Sequence, residues 1–468
     1  MKNSRLSSLA ILISIWFFWG FVAASTGILI PLFKEIFQLT QFQSQLVDWA
    51  FYTAYFIGSA FYFFITVSFE DPLLKIGYKK GLTIGLLISA IGAIGFIPAA
   101  NMHSYPLLLT CMFIIGLGFT LQQIVANPYM IAMGSPSTGS HRLNLAGGLN
   151  SFGTAIGPVL LSLALFGQIS SSYSPPADIN SVKIPSIILC GMLLLCATLL
   201  AVSSLPPITA HEKAERKPQA LKYPQLTLGM LAIFFYVGGE VTIQSNLGAL
   251  LKLPEIKGIT ASQISPYVSL YWGSLMIGRW RGSLTVFKLS KTVKVFLMTV
   301  VPIIAFGVIC GINYLRTNDI SDYKYYLPYL LLAIIAFFIG QEKPARTLIL
   351  FSCIAGGLII LGLFTSGNIA LFSFISGGLY CSVMWPCIFA LAIAGLGKYT
   401  TQGSSLLIMM ILGGGVIPLI QGKIADNFGA HISYIVPVFC FAYLAFYGWR
   451  VRSIFKLQGM DADAVVLE

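Results

Sequence analysis

Long apolar runs broken by short polar pieces repeat along this chain, and each run is the length of a helix that crosses hydrocarbon, about 20 residues. The first half reads as six such helices at roughly 8–33, 45–69, 81–100, 105–133, 143–167 and 183–204. A polar linker, ITAHEKAERKPQALKYPQ (208–225), follows. The second half reads as eight, at 227–252, 263–280, 294–312, 327–340, 347–365, 369–393, 404–422 and 432–449, which makes fourteen spans. The segment 327–340 is short for a span and needs its flanks to cross. The first apolar run, behind MKNSRLSS, is longer than the 7–15 residues of a cleaved signal, so it is expected to be span 1.

Composition agrees with that pattern. Charged residues are 9% of the 468 and apolar residues 57%, against about 25% charged in an ordinary soluble domain. One soluble core is excluded, and an all-α integral membrane protein follows. The net charge of +12 does not point to nucleic acid, because the basic residues fall in short pieces between apolar runs. With the N-terminus inside, only Lys34, Lys183, Lys252, Lys257, Arg316, Lys324 and Lys423 of the 28 Lys and Arg lie outside, leaving 21 inside. That bias predicts an inner (plasma) membrane protein with both termini cytoplasmic. The eight cysteines all sit in apolar runs and the four histidines are scattered, so no metal is expected.

Polar side chains within the spans carry the candidate chemistry. Gln122 to Gly134 (QQIVANPYMIAMG) places two glutamines, an asparagine and a proline in an apolar helix. Amides there either bind neighbouring helices together or line a wet solute site. Gln123 and Asn127 share a face at i,i+4, and with Gln122, Asn150, Gln244 and Trp385 they form the expected substrate-binding set. Amides suit sugar hydroxyls, and an indole suits the C–H side of a pyranose, although membrane tryptophans also simply pack. Spans 1 to 8 contain two carboxylates, Asp48 and Glu240, the candidates for cation coupling. Asp48 also reads as a solvated residue at a helix start, and Glu240 as an amide-paired carboxylate pinning span 7. Asn144 and Arg142 read as holding an inner loop, and Gln421 and Asp426 as gate or loop residues. Arg279, with Arg281, ends span 8 on the cytoplasmic side, and Lys75, Lys79 and Lys80 follow span 2 beside Glu70 and Asp71; both groups suit either inner-loop charge latches or plain topology.

The chain also repeats itself. NPYMIAMG followed by RLNLAGGLNSFGTAIGPVL in spans 4 and 5 matches WPCIFALAIAGLG followed by GSSLLIMMILGGGVIPLIQG in spans 12 and 13. Pro128 to Pro158 is 30 residues and Pro386 to Pro418 is 32. A duplicated six-helix bundle is expected, 1–207 and 226–468, with the solute at the midplane between the halves. The second half then has two helices too many, most simply a pair inserted within 283–342 and lying outside the 6+6 core.

Several segments together resemble the fucose–galactose–glucose cation symporters of the major facilitator superfamily, the fucose permease family. They are WGFVAASTGILIP (19–31), QSQLVDWAFYTAYFIGS (43–59), LQQIVANPYMIAMG (121–134) and RLNLAGGLNSFGT (142–154). In the second half they are FFYVGGEVTIQSNL (234–247), YVSLYWGSLMIGRW (267–280) and GLGKYTTQGSSLLIMMILGGGVIPLIQG (395–422). The resemblance implies alternating access and cation-driven monosaccharide uptake. Fucose permease carries carboxylates in spans 1 and 4, where this chain has Gly27 and Gln123, and Gly147 stands where the family usually has glutamine. Neither replacement titrates, so that proton route is not carried over; the span-4 glutamine looks like the glucose/galactose branch, some members of which are sodium-coupled.

The reading is a secondary transporter, expected to be a monomer, importing a neutral monosaccharide of the glucose, galactose or fucose type with a co-transported sodium ion or proton and using no cofactor. Its rivals are a drug or organic-ion antiporter, which favours an aromatic cavity over an amide-rich one, and an uncoupled sugar facilitator. A membrane enzyme needs a convergent nucleophile and base or a metal cluster, and none is apparent in the sequence.

Overall fold

The computed structural model describes residues 10–23, 29, 33, 36–39, 41–69, 71–134, 139–166, 179–203, 205, 217–259, 264–287, 289–317, 319–341 and 343–459. The described residues are helical almost throughout, because a backbone without water must satisfy its own hydrogen bonds. In chain order the long helices are α1 (Ala10–Ala23), α2 (Gln41–Ser68), α3 (Pro72–Ile94), α4 (Tyr105–Ala132), α5 (Gly139–Phe166), α6 (Lys183–Val202) and α7 (Pro224–Ser245). There follow α8 (Ser265–Ser283), α9 (Lys291–Thr317), α10 (Leu327–Gly340) and α11 (Pro344–Leu363). Helix α12 comes in two pieces, Gly367–Cys381 and Met384–Ile393; α13 in two, Thr400–Met409 and Gly413–Phe428; and α14 is Ile435–Leu457. Among the described residues, eleven helical stretches are long and apolar enough to cross a membrane. The short segment expected at 327–340 gains a 3-10 turn at Ser321–Tyr326 and becomes a 20-residue stretch, Ser321–Gly340.

Helix α3 begins earlier than its apolar run, at Pro72, and takes Lys75, Lys79 and Lys80 into the helix. Asp71 caps it, accepting from Leu73 N at 2.9 Å and from the Tyr62 hydroxyl at 2.7 Å. Gly77 interrupts the first turns with φ 74°, a left-handed value that glycine adopts without steric cost. Lys79 donates to Ser203 O, beyond the end of α6, at 2.7 Å, which gives one of these lysines a structural partner in place of the loop latch.

The chain divides into two compact units. The first holds 1–133, 152–222 and 396–409; the second holds 134–151, 223–395 and 410–468. The main division, between 222 and 223, falls inside the expected linker 208–225, and 206–216 lie outside the described residues. Each unit also takes in one segment from the other half of the sequence. These are the opening of α5 in one direction and the first piece of α13 in the other, the two segments paired by the sequence repeat.

Packing within the units follows one rule. In the first, α3 lies against α4 and α6, and α2 against α4. In the second, α11 lies against α12 and α14, and α8 against α12. The glycine contacts repeat as well. A methyl on Gly153 would fall 2.4 Å from Phe17 O, and one on Gly413 would fall 2.0 Å from Phe234 O. One turn on, Gly157 meets Phe21 in the first unit and Gly238 meets Ile417 in the second. Helix α9 packs on α8, while α10 packs on α11 and α12. Both leave large apolar side chains exposed, among them Phe296, Ile303, Leu315, Leu331 and Ile335.

Candidate functional site

In the first unit the polar residues of α4 divide into two kinds. Gln122 is fully buried and both ends of its amide are engaged. The Trp19 indole donates to its Oε1 at 2.8 Å, and its Nε2 donates to Ser89 Oγ at 2.9 Å. The ring comes from α1 and the hydroxyl from α3, so Gln122 ties three helices together. The approach is close: a methyl on Gly118 would stand 2.6 Å from Gly85 O. Gln123, the next residue, is half-buried and donates from Nε2 to the Tyr55 hydroxyl on α2 at 2.9 Å. Asn127 turns back along its own helix, donating to Gln123 O at 2.9 Å, and is buried. Asp48 is seven residues inside α2, half-buried, and two turns before Tyr55. Gly27 lies outside the described residues.

Proline explains a neighbouring contact. Pro128 has no N–H, which frees the carbonyl of Ile124 four residues earlier. The Ser404 hydroxyl, on the first piece of α13, donates to that carbonyl at 2.9 Å.

The second unit solves the same problem with a charge. Pro386, in the second piece of α12, frees the carbonyl of Ser382, and α12 breaks at 382–383. Arg279 Nε donates to Ser382 O at 3.3 Å. Its Nη1 donates to Ser151 Oγ at 2.7 Å and, at 3.3 Å each, to Asn150 Oδ1 and Gly147 O. Its Nη2 stands 3.8 Å from Glu240 Oε1, and the two side chains are each only 12% exposed. The Tyr236 hydroxyl donates to the same Oε1 at 2.7 Å, and the Tyr271 hydroxyl donates to Glu240 O at 2.5 Å. Tyr236 also sits 6.0 Å, ring centre to ring centre, from Trp385, which stacks on Phe389 at 6.2 Å.

Three residues singled out by sequence, Glu240, Asn150 and Trp385, are thus joined through two that were not placed with them, Arg279 and Tyr236. Tyr236 is legible in hindsight, four residues before Glu240 on the same helical face. Arg279 reads from sequence as the cytoplasmic end of span 8, a latch or plain topology; the structure makes it the partner of Glu240. Arg281 likewise leaves the latch reading. It is buried, its guanidinium lies 4.6 Å over the Phe337 ring, and it donates to Phe337 O at 3.3 Å, which ties α8 to α10. Gln244 is half-buried one turn from Glu240, whose carboxylate takes Tyr236 and Arg279 as partners. Asn144 is buried beside Gly282. Gln421, expected at a gate or loop, is fully buried. Among the described residues no group of three or more His, Cys, Asp or Glu is placed to hold a metal ion.

Residues 8–340 match the sequence profile of the Major Facilitator Superfamily. The chain is 33% identical over 446 residues to a glucose/galactose transporter of Brucella abortus, covering 95% of this chain and 93% of that one. It belongs to the fucose permease-like family of this superfamily. An L-fucose-proton symporter of Escherichia coli is 27% identical over 97% of this chain and 94% of its own. A crystal structure of the superfamily transporter FucP in the outward conformation superposes with a TM-score of 0.72 at 26% identity, covering 96% of this chain and 99% of that one. Family membership makes the protein a multi-pass membrane transporter, and it removes the enzyme reading.

Proposed function

We propose that the protein imports a neutral hexose of the glucose or galactose type together with a cation, through alternating access. The observation that carries this reading is the Glu240 cluster. A carboxylate buried in an apolar bundle costs about 2.5 kcal/mol or more, so it is kept for a purpose. Here Glu240 has a tyrosine on one oxygen and an arginine at 3.8 Å. The relatives named above as glucose/galactose transporters and as a proton symporter support the solute class and the coupling.

In this reading Gln123 and Asn127 face the sugar hydroxyls in the first unit, and Trp385, Asn150 and Gln244 serve it in the second. Gln122, its amide already engaged by Trp19 and Ser89, holds the helices and is left out of the sugar contact. Glu240 takes the cation, sodium or proton, with Asp48 on the entry side. The architecture is fourteen spans, a 6+6 core with α9 and α10 inserted; the matched packing and glycine contacts of the two units support it. Both termini are cytoplasmic, the membrane is the inner one, and the working unit is a monomer.

Purified protein in proteoliposomes, given labelled glucose or galactose under a sodium or a proton gradient imposed separately, tests this. Accumulation under one of the gradients is the expected result. Equilibration without accumulation under both would leave an uncoupled facilitator, and no hexose flux would remove the sugar assignment.

A further inference from the structure

We propose that Arg279 is a resident cation, which takes the place of the transported one on Glu240 while the carrier returns empty. The inference rests on Glu240 being the coupling carboxylate, and it assigns the arginine a step in the cycle that the carboxylate alone does not supply.

The contacts of the guanidinium are unusual for an ion pair. Its direct hydrogen bonds go to neutral acceptors, Ser151, Asn150, Gly147 and Ser382, the shortest being 2.7 Å to Ser151 Oγ. The carboxylate stands farther off at 3.8 Å, and its near oxygen is taken by the Tyr236 hydroxyl. A direct charge-assisted bond between these groups is about 2.8 Å long. The pair is therefore in range of attraction but not closed. Arg279 is held between two sets of acceptors, three of them on residues 147–151 of α5.

That segment makes the position consequential. Residues 134–151 belong to the second unit and the rest of α5, from 152, to the first. Arg279, with Trp280 donating to Gly148 O at 3.3 Å and His141 Nδ1 standing 3.0 Å from Gly282 O, bonds this part of α5 within the second unit. Two adjoining glycines, Gly147 and Gly148, let both side chains lie against the helix backbone.

A cation or proton on Glu240 cancels the pull on the guanidinium and leaves it on 147–151. Loss of that cation restores the negative charge, which draws Arg279 across the remaining gap into a closed pair and weakens its hold on α5. The closed pair is neutral. A neutral pair reorients within the apolar bundle, whereas a lone carboxylate would carry an uncompensated charge through it. Arg279 thus acts on transport through Glu240 and α5, as a positioning residue, and not by contact with the sugar.

Two transport modes separate this role from simple anchoring. Exchange, with labelled glucose or galactose and saturating cation on both sides, needs no empty return; net uptake does. Arg279→Gln is expected to keep exchange within about 3-fold of the wild type and to lose about 30-fold or more in net uptake. The double variant Glu240→Gln, Arg279→Gln has no charge to compensate and is expected to recover net downhill uptake, without dependence on cation. Equal loss of exchange and net uptake in Arg279→Gln, with no recovery in the double variant, would overturn the proposal in favour of a structural anchor. Full net uptake in Arg279→Gln would also overturn it. Where Arg279→Gln fails to reach the membrane, the double variant alone decides: cation-independent downhill flux supports the resident-cation role, and its absence refutes it. Wild-type accumulation under the imposed gradients tests the coupling reading itself, independently of these ratios.

Discussion

The two helix prolines, Pro128 and Pro386, pose one physical problem and receive opposite answers. Each proline frees a carbonyl inside a helix. In the first unit Ser404, a neutral hydroxyl, satisfies Ile124 O, and the surrounding side chains are amides, an indole and hydroxyls bonded to one another. In the second unit a guanidinium satisfies Ser382 O, and with it come a carboxylate and two tyrosines. A neutral network holds no ion whose pairing can change, so it suits recognition of a neutral solute and helix packing. A charged network in a dry site keeps a large energy at stake in whether its ions are paired. The contrast assigns solute recognition mainly to one cluster and response to a cation to the other.

The largest effect is expected from removing the charge of the second cluster. Glu240→Gln keeps the shape and the Tyr236 contact but takes away the negative charge. Concentrative uptake is expected to vanish, with the internal sugar level falling to the external one, while exchange persists; accumulation ratios in proteoliposomes measure this. Undiminished accumulation would dissolve the contrast between the clusters. Glu240→Ala goes further, since besides leaving Arg279 without its counter-ion it also removes the acceptor of the Tyr236 hydroxyl and the side-chain volume. A loss of about 3–5 kcal/mol of stability is expected, seen as a lower melting temperature in detergent.

The neighbouring glutamines of the first cluster sharpen the comparison from the other side. Gln123→Ala is expected to raise the KM for sugar about 10-fold or more, with the melting temperature nearly unchanged, because one hydrogen bond of about 1 kcal/mol to Tyr55 is lost. Gln122→Ala is expected to do the reverse. It strands the buried Trp19 N–H and leaves Ser89 short of a partner, at a cost of about 2–3 kcal/mol, while protein that still folds keeps its KM. If the two variants behave alike, the division between a solute-facing and a structural glutamine fails.

This division was not legible in the sequence. Gln122 and Gln123 are adjacent amides, and only the packing of α1 and α3 against α4 tells which of them is enclosed. The fold was more accessible, since apolar runs, loop lysines and the recurring Gly and Pro positions are local signals that depend on length and periodicity. Glu240 stood out because a carboxylate in an apolar run is expensive wherever it is buried. Arg279 did not, because an arginine near a helix end has an ordinary explanation in topology. Its pairing depends on α7, α8 and α12 meeting at one point, 39 residues of chain separating it from Glu240 and 103 from Ser382. Contacts at such separation have no periodicity to betray them.

The smallest effect is expected where the inserted helices meet the core, and it tests whether the comparison has left a third region out. Helix α9 and the Ser321–Gly340 stretch are fastened to α8 along its length. Asn313 donates to Ser269 Oγ at 2.9 Å, the Tyr326 hydroxyl and Ser274 Oγ are 2.7 Å apart, and Tyr323 donates to Pro266 O at 2.7 Å. Near the α7–α8 connection Asp322 accepts from Tyr267 and pairs with Lys257 at 2.9 Å. Because α8 also carries Arg279, these fastenings either splint the helix or take part in its motion. Tyr326→Phe separates the two. It removes one hydroxyl, and Ser274 keeps its bond to Leu270 O, so the expected loss is at most about 1 kcal/mol, with uptake unchanged within 2-fold. A variant with an unaltered melting temperature but impaired net uptake would show that the inserted pair moves with α8 and belongs to the transport machinery.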